Sequence, residues 1–537
     1  MSLIIREETM ITRKTRVILL TTAAAIATPQ FAASDEAACA QLSTLSNDQT
    51  EITSTTWVPV GPDADAKADL PAYCRVDGII GARVGAGDRP LGEKFELRLP
   101  AEWNGRFFFQ GGGGLDGRVR PAYGRGAPTS TPPAVGEGFA VISTNAGHDY
   151  PDGSFGFDEK AREIWGYETI EHVTLVGKEL VEAYYGEAPH HSYLVGCSNG
   201  GRQGMMASQR YPELFDGIVS GAPVFRMTRS HIDTAWGLQN LTSIAPKNKE
   251  GDRILAKAFS DSDLALLSDD ILAVCDGLDG LEDGLVSAVG QCDYDPARLQ
   301  CQGDKTDACL STDQVRVMQT IHAGSTDSAG KAWYIPWAFD PGIGDSGWRR
   351  WRLGDSETAE PNAIKAGLSN NGIKHVFITP PDAEFNIQEF DFDEDPKRME
   401  ASAAFADAVS TDLAAFRDKG GKILFYHGVS DPAISALDTA RYFDALTEDM
   451  GGSDATDEFA KLYLVPGMGH CGGGKGLNEF DTLSAIVDWV ENEKAPGSLV
   501  VTGSYRPGVS RPLCPYPTYA TYDGSGDPAK AESFNCQ

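Results

Sequence analysis

From about Phe95 onward, short apolar runs alternate with segments of helical period. Phe95-Glu96-Leu97-Arg98-Leu99 has period two, as a strand with one buried face does. Arg106-Phe107-Phe108-Phe109-Gln110 is apolar through its middle and reads as a strand buried on both faces, and Phe139-Ala140-Val141-Ile142-Ser143 reads as another. Over 168–185 the residues Ile170, Val173, Leu175, Val176, Leu180 and Val181 recur at helical spacing, which predicts a helix stopped by Gly186. A strand over 192–195, a tight turn, a helix from about Gly200 and a strand over 217–220 follow. The alternation breaks after Pro223 and resumes with Lys422-Ile423-Leu424-Phe425-Tyr426, a strand over 461–465 and a helix over 483–493. This order predicts an α/β fold with a mostly parallel sheet and helices on both faces. The sheet domain spans 34–223 and 415–537, interrupted between late strands by an acidic, loop-rich insertion over 224–414. An insertion there sits at the carboxyl edge of the sheet, where open α/β folds bind ligands, and so reads as a lid.

Composition narrows the class. Of 537 residues 41% are apolar and 23% charged, as in soluble globular chains, which excludes disorder and fibrous repeats. With 77 acidic against 46 basic residues the net charge is −31. That field repels phosphate backbones and anionic lipid, so neither nucleic acid nor membrane is an expected partner, and no protein partner is implied. Arg13, Lys14 and Arg16 precede the run Val17-Ile18-Leu19-Leu20 and an alanine-rich stretch, with Met10 as an alternative start. This pattern predicts an export signal over 1–33 and a secreted or periplasmic protein. A membrane anchor is the competing reading, but the run is too short to span roughly 30 Å of hydrocarbon. Ten cysteines without a CxxC pair favour disulfides in an exported chain. Local spacing suggests Cys275 with Cys292, Cys301 with Cys309, and Cys514 with Cys536.

The sharpest motif is Gly196-Cys197-Ser198-Asn199-Gly200-Gly201, a G-x-S-x-G between an expected strand and an expected helix. Glycines flank the serine because so sharp a turn needs close backbone approach, and the turn lifts the hydroxyl to a helix N-terminus. The bland alternative is a plain Gly/Ser turn. A serine nucleophile needs a base and an orienter, in the chain order Ser, Asp, His. Asp431 follows the strand ending near Tyr426, and His470 follows the strand ending at Val465. His470 would accept the Ser198 proton, and Asp431 would fix the tautomer of that imidazole. His427 reads as a turn histidine packing beside the site, His148 as a pocket residue, and His172, His190 and His191 as surface or helix residues. The glycine run 111–114 after a buried strand offers oxyanion-hole amides, best Gly112 and Gly113, with the Asn199 amide as second donor. A phosphate cradle is disfavoured, since no GK[ST] follows. An assembled triad would bring Cys197 and Cys471 together, and a disulfide across 274 positions would contribute roughly 4–5 kcal/mol by loop closure.

The insertion carries Cys275-Asp276-Gly277-Leu278-Asp279-Gly280-Leu281-Glu282-Asp283-Gly284-Leu285. Three carboxylates among glycines could wrap a hard cation or form a solvated acidic turn, and spacing leaves both open. Trp348, Arg349 and Trp351 lie in a compact aromatic and basic cluster that could clamp a ring or carboxylate, or could be lid core.

Cys197-Ser198, Asp431 and His470-Cys471 together resemble the tannase and feruloyl esterase family of secreted α/β-hydrolases, over roughly Cys39 to Cys536. The resemblance implies Ser198, Asp431 and His470 as triad, Cys197 paired with Cys471, and Cys39 paired with Cys74. It implies a structural Ca2+ held by the Asp276, Asp279 and Asp283 side chains and the Leu281 and Leu285 carbonyls. It also implies hydrolysis of small aromatic esters, of ferulate first, with gallate and terephthalate behind. A catalytically silent, calcium-dependent binding protein is the reading from another class.

Overall fold

A computed structural model describes residues 36–125 and 132–537, so the expected export segment lies outside the described residues. Nine strands form the central sheet: β1 (Thr50–Val58), β2 (Tyr73–Val84), β3 (Pro90–Pro100), β4 (Arg106–Gln110), β5 (Ala140–Thr144), β6 (His191–Cys197), β7 (Gly217–Gly221), β8 (Lys422–Gly428) and β9 (Ala460–Val465). Their order is β1-β2-β3-β5-β4-β6-β7-β8-β9. The pairs from β5 through β9 are parallel, as expected. The edge β1-β2-β3-β5 is antiparallel, so the sheet is mixed. β1 and β2 were not anticipated, although alternation through Tyr73-Cys74-Arg75-Val76 was there to find: Cys74 and Val76 are fully buried and Arg75 is half-exposed.

The parallel strands are apolar throughout because both faces are covered. Phe107 and Phe109 of β4 enter one apolar cluster, with Leu194, Ile218 and Ile423. Phe108 between them enters the other, with Tyr193, Val219 and Leu424. Helix α1 (Thr169–Tyr185) packs on the first face through Ile170, Val173, Leu180 and Val181, and ends at Gly186 in the left-handed region. Helix α2 (Asn199–Arg210) starts immediately after the β6 turn.

The segment between β7 and β8 is helical. It includes α3 (Met227–Ile244), α4 (Asp261–Cys275), α5 (Thr312–His322), α6 (Ser346–Arg352), α7 (Ile364–Gly372) and α8 (Asp395–Ala406). Ser260 and Ser311 open α4 and α5 with reciprocal capping boxes. The segment has its own apolar cluster, which also takes in Leu115, Phe155 and Trp165 from the loops after β4 and β5. It is therefore docked on the carboxyl edge of the sheet. Five disulfides are present, Cys39–Cys74, Cys197–Cys471, Cys275–Cys292, Cys301–Cys309 and Cys514–Cys536, and all match expectation. Among the described residues no helix is long and apolar enough to cross a membrane.

Candidate active site

Ser198 has φ 63° and ψ −122°, a left-handed conformation that costs a non-glycine residue on the order of 1–3 kcal/mol. The surroundings hold it there. A Cβ on Gly196 would meet the Gly200 backbone, and one on Gly201 would meet the Gly221 carbonyl. The Ser198 amide donates to Gly221 O at 2.9 Å, tying the turn to the end of β7. Strand ends of β8 and β9 then deliver Asp431 and His470, three and five residues beyond their last positions.

His470 Nδ1 lies 2.7 Å from Asp431 Oδ2, and His427 Nε2 lies 3.2 Å from the same oxygen. The second carboxylate oxygen accepts from the amides of Ala433 at 2.7 Å and Ile434 at 3.1 Å. Burial alone would raise the Asp431 carboxyl, but the His470 and His427 charges and hydrogen bonds outweigh it and hold it well below the usual carboxylate range. An ionised carboxylate only accepts, so both histidines donate to it, and Nε2 is the His470 ring nitrogen outside this bond. His427 Nδ1 is hydrogen-bonded with Thr439 Oγ1 at 2.8 Å. His427 is thus a buried strand residue on the shared carboxylate, not a turn histidine beside it.

Two cavities meet at Ser198 and His470. One, about 60 Å³, is walled chiefly by the inserted segment through Met227, Trp351, Lys365 and Leu368. The other, about 530 Å³, is lined by the glycine run 111–114, Arg120 and Tyr123, with Trp351 again at its border. The Trp351 and His470 rings meet edge to face at 5.0 Å. Trp348 and Arg349 do not reach either cavity. Trp348 is buried in the apolar cluster of the insertion, and Arg349 donates to Ala256 O at 3.0 Å and Phe259 O at 2.7 Å. Arg349, two positions before Trp351, lies on the opposite side of α6, whereas Trp348 is one turn from Trp351 and goes into the apolar cluster of the insertion. His148 is also withdrawn, buried and stacked on Phe155 at 3.7 Å, where burial pulls its pKa down to about 3.

Lys365 was not anticipated. Its Nζ has no hydrogen-bond partner among the described residues and stands 3.9 Å from Asp233 Oδ2. Burial, with Arg352 nearby, pulls the amine below its ordinary range. An amphipathic reading of 364–372 would have shown Lys365 one turn from Leu368 and Ser369, but not which cavity they share.

Gly112 is corrected as an oxyanion donor. Its amide donates to Gln203 Oε1 at 2.9 Å, so it is already committed. Gly113 and Asn199 keep their place beside Ser198, both bordering a cavity that Ser198 lines.

In the acidic loop, Asp276 accepts from the amides of Gly284 and Leu285, and Asp279 from those of Leu281 and Ser287. Asp283 accepts from the Leu285 amide and from Arg511. Burial, with the Asp283 charge nearby, raises the Asp276 and Asp279 carboxyls. The donor set is all oxygen, as a hard cation requires. Among the described residues no group of three or more His, Cys, Asp and Glu side chains is arranged as a ready metal cage.

A sequence profile described as "Tannase and feruloyl esterase" matches residues 74–537. Mono(2-hydroxyethyl) terephthalate hydrolase of Piscinibacter sakaiensis is 42% identical, over 89% of this chain and 87% of its own. Feruloyl esterase B of Aspergillus niger is 28% identical, over 82% and 83%. Among solved structures, feruloyl esterase B from Aspergillus oryzae superposes with a TM-score of 0.78 at 25% identity, covering 93% of this chain and 99% of that one.

Proposed function

The chain belongs to the tannase and feruloyl esterase family and is a carboxylic ester hydrolase, and from that premise we propose that it cleaves aromatic carboxylic esters through an acyl-Ser198 intermediate. The observation that carries this reading is the pair His470–Asp431 at 2.7 Å, with His470 lining both cavities that the strained Ser198 lines. His470 Nε2 takes the Ser198 proton as Oγ attacks the ester carbonyl. The tetrahedral oxyanion turns to the Gly113 and Asn199 amides, where each such donor contributes about 10²–10³ in rate. The imidazolium then protonates the leaving alcohol, and water repeats the sequence on the acyl-enzyme. Asp431 stabilises the imidazolium, and its low pKa keeps it ionised throughout. We place the acyl ring in the narrow cavity against Trp351, and the alcohol in the wider one.

Feruloyl esters are the first reading of the acid. Lys365 favours a second, since a buried amine with no hydrogen-bond partner of its own, beside Asp233, suits a ring bearing a carboxylate, as in a terephthalate monoester. Product release from methyl ferulate, methyl gallate and mono(2-hydroxyethyl) terephthalate ranks them, and Ser198→Ala should lower every rate at least about 10⁴-fold. Retained turnover by Ser198→Ala overturns the assignment. The same reading includes export from the cytoplasm, for which the five disulfides speak. It also includes a structural Ca2+ on Asp276, Asp279 and Asp283 with the Leu281 and Leu285 carbonyls, supported by an oxygen-only donor set. A chelator should then lower the Tm by several degrees and added Ca2+ restore it; an unchanged Tm counts against the ion.

A further inference from the structure

Beneath the glycine run lies a carboxylate that the proposed mechanism does not use. Asp116 is buried, and its Oδ1 accepts from Asn199 Nδ2 while its Oδ2 accepts from Gln203 Nε2 at 3.4 Å. Gln203 Oε1 in turn accepts from the Gly112 amide at 2.9 Å. The Asp116 amide donates to Gly113 O at 3.1 Å. One residue therefore grips both walls of the cradle: α2 through Asn199, and the glycine run through Gln203 and its own backbone. On the far side Asn199 Oδ1 accepts from Arg202 Nε at 2.7 Å, and that guanidinium reaches Gly166 O at 2.8 Å and Ala406 O at 3.2 Å. The Asn199 side chain is thus fixed from two sides.

We propose that Asp116 is a positioning residue of the oxyanion cradle, holding the Gly113 and Asn199 amides on one point. This rests on the acyl-serine reading. A second, independent observation supports it. A Cβ at position 112 would collide with Asp116 Oδ2, so the glycine there makes room for this carboxylate. Asp116 itself adopts φ 49°, a left-handed backbone retained to aim its side chain. Burial raises its pKa to about 7, and the Arg202 charge and the Asn199 bond oppose that rise.

The chain of hydrogen bonds is directional: Gly112 N–H to Gln203 Oε1, Gln203 Nε2–H to Asp116, Asn199 Nδ2–H to Asp116. Both bonds are donated to position 116, so the network needs the ionised carboxylate there, which the Arg202 charge and the Asn199 bond favour. In Asp116→Asn the new amide faces the Gln203 amide, donor against donor, and turning Gln203 would set its amide against that of Gly112. Adding Gln203→Glu restores acceptors for both, because the carboxylate then at position 203 can accept from the side-chain amide at position 116 and from the Gly112 N–H.

The test compares wild type, Asp116→Asn and the double variant Asp116→Asn/Gln203→Glu on an ester the wild type turns over. The readouts are kcat, KM and inhibition by an aryl boronic acid, whose tetrahedral adduct with Ser198 places an oxygen in the cradle, against inhibition by the free aromatic acid. Asp116→Asn should lower kcat about 10²–10³-fold with KM within threefold, and weaken boronate inhibition in proportion while leaving the free acid alone. The double variant should recover at least tenfold of the loss. Unchanged kcat, a loss of kcat without weaker boronate inhibition, or no recovery in a folded double variant overturns the proposal. Should Asp116→Asn not fold, the double variant alone decides, since near-wild-type kcat supports the proposal and a full loss removes it. Failure of the serine reading is separate, because it would show as turnover by Ser198→Ala.

Discussion

The two walls around Ser198 are made of different material. The sheet-side wall is glycine backbone and the ends of β6 and β7, braced from behind by a sealed side-chain network through Asp116, Asn199, Gln203 and Arg202. The insertion-side wall is side chains: Trp351, Lys365, Leu368 and Met227 on three helices. A backbone wall can be altered only by moving the chain, so it holds geometry. A side-chain wall can be re-cut by substitution with less movement of the chain, which is why the proposed substrate choice is assigned to it. The comparison teaches that chemistry and specificity here sit on separable structures.

The largest effect should come from disturbing the backbone wall. In Gly201→Ala the new Cβ meets the fixed Gly221 carbonyl, so the elbow or β7 must shift. Overpacking of this kind costs about 1–3 kcal/mol. A lowered Tm and at least about a hundredfold lower kcat on every ester are expected, since small misplacement at the reacting atoms costs that much. Unchanged kcat would mean the wall is softer than drawn. On the other side, Lys365→Met takes the cation from buried Asp233, so the Tm should fall, and preference should change. The ratio of kcat/KM for mono(2-hydroxyethyl) terephthalate over methyl ferulate should fall about tenfold, which is ~1.4 kcal/mol. Equal loss on both esters would instead place Lys365 in the common scaffold.

The smallest effect is in pH dependence. Burial raises Asp116 to about 7 and Asp340, Asp407 and Asp438 to about 6. A carboxyl raised on folding binds its proton more tightly in the native state, so stability should decline as pH climbs from the ordinary carboxyl range through those values. Thermal melts between pH 4 and 8, a window set by these shifts, should show that decline, and Asp116→Asn should flatten its upper end. An identical profile in the variant would assign the slope to other groups.

The motif residues were legible because each is announced locally. Glycines around Ser198 state the turn, and Asp431 and His470 stand just past apolar runs that read as buried strands, one of which forms the sheet edge. The Cys197–Cys471 bridge followed from placing those strand ends together. The antiparallel edge was missed because β1 and β2 are half-exposed, and Thr- and Arg-containing alternation is weak against a loop background. Arg349 was misplaced because a cluster in sequence spreads around a helix in space, and Trp348 because burial in the insertion core does not show in local spacing. Gly112 was misassigned because composition shows that amides are available, not which are already bonded.

What depends on near neighbours could be read along the chain: the elbow, the order of the parallel strands, and the residues delivered at strand ends. Tertiary structure alone decided what depends on which distant atoms meet. It brought His427 and His470 onto one carboxylate, aimed Lys365 into the narrow cavity and closed Asp116 under the cradle. Burial is the physical reason. A polar group taken from water must find its partners in the fold, and those partners lie tens or hundreds of residues away along the chain.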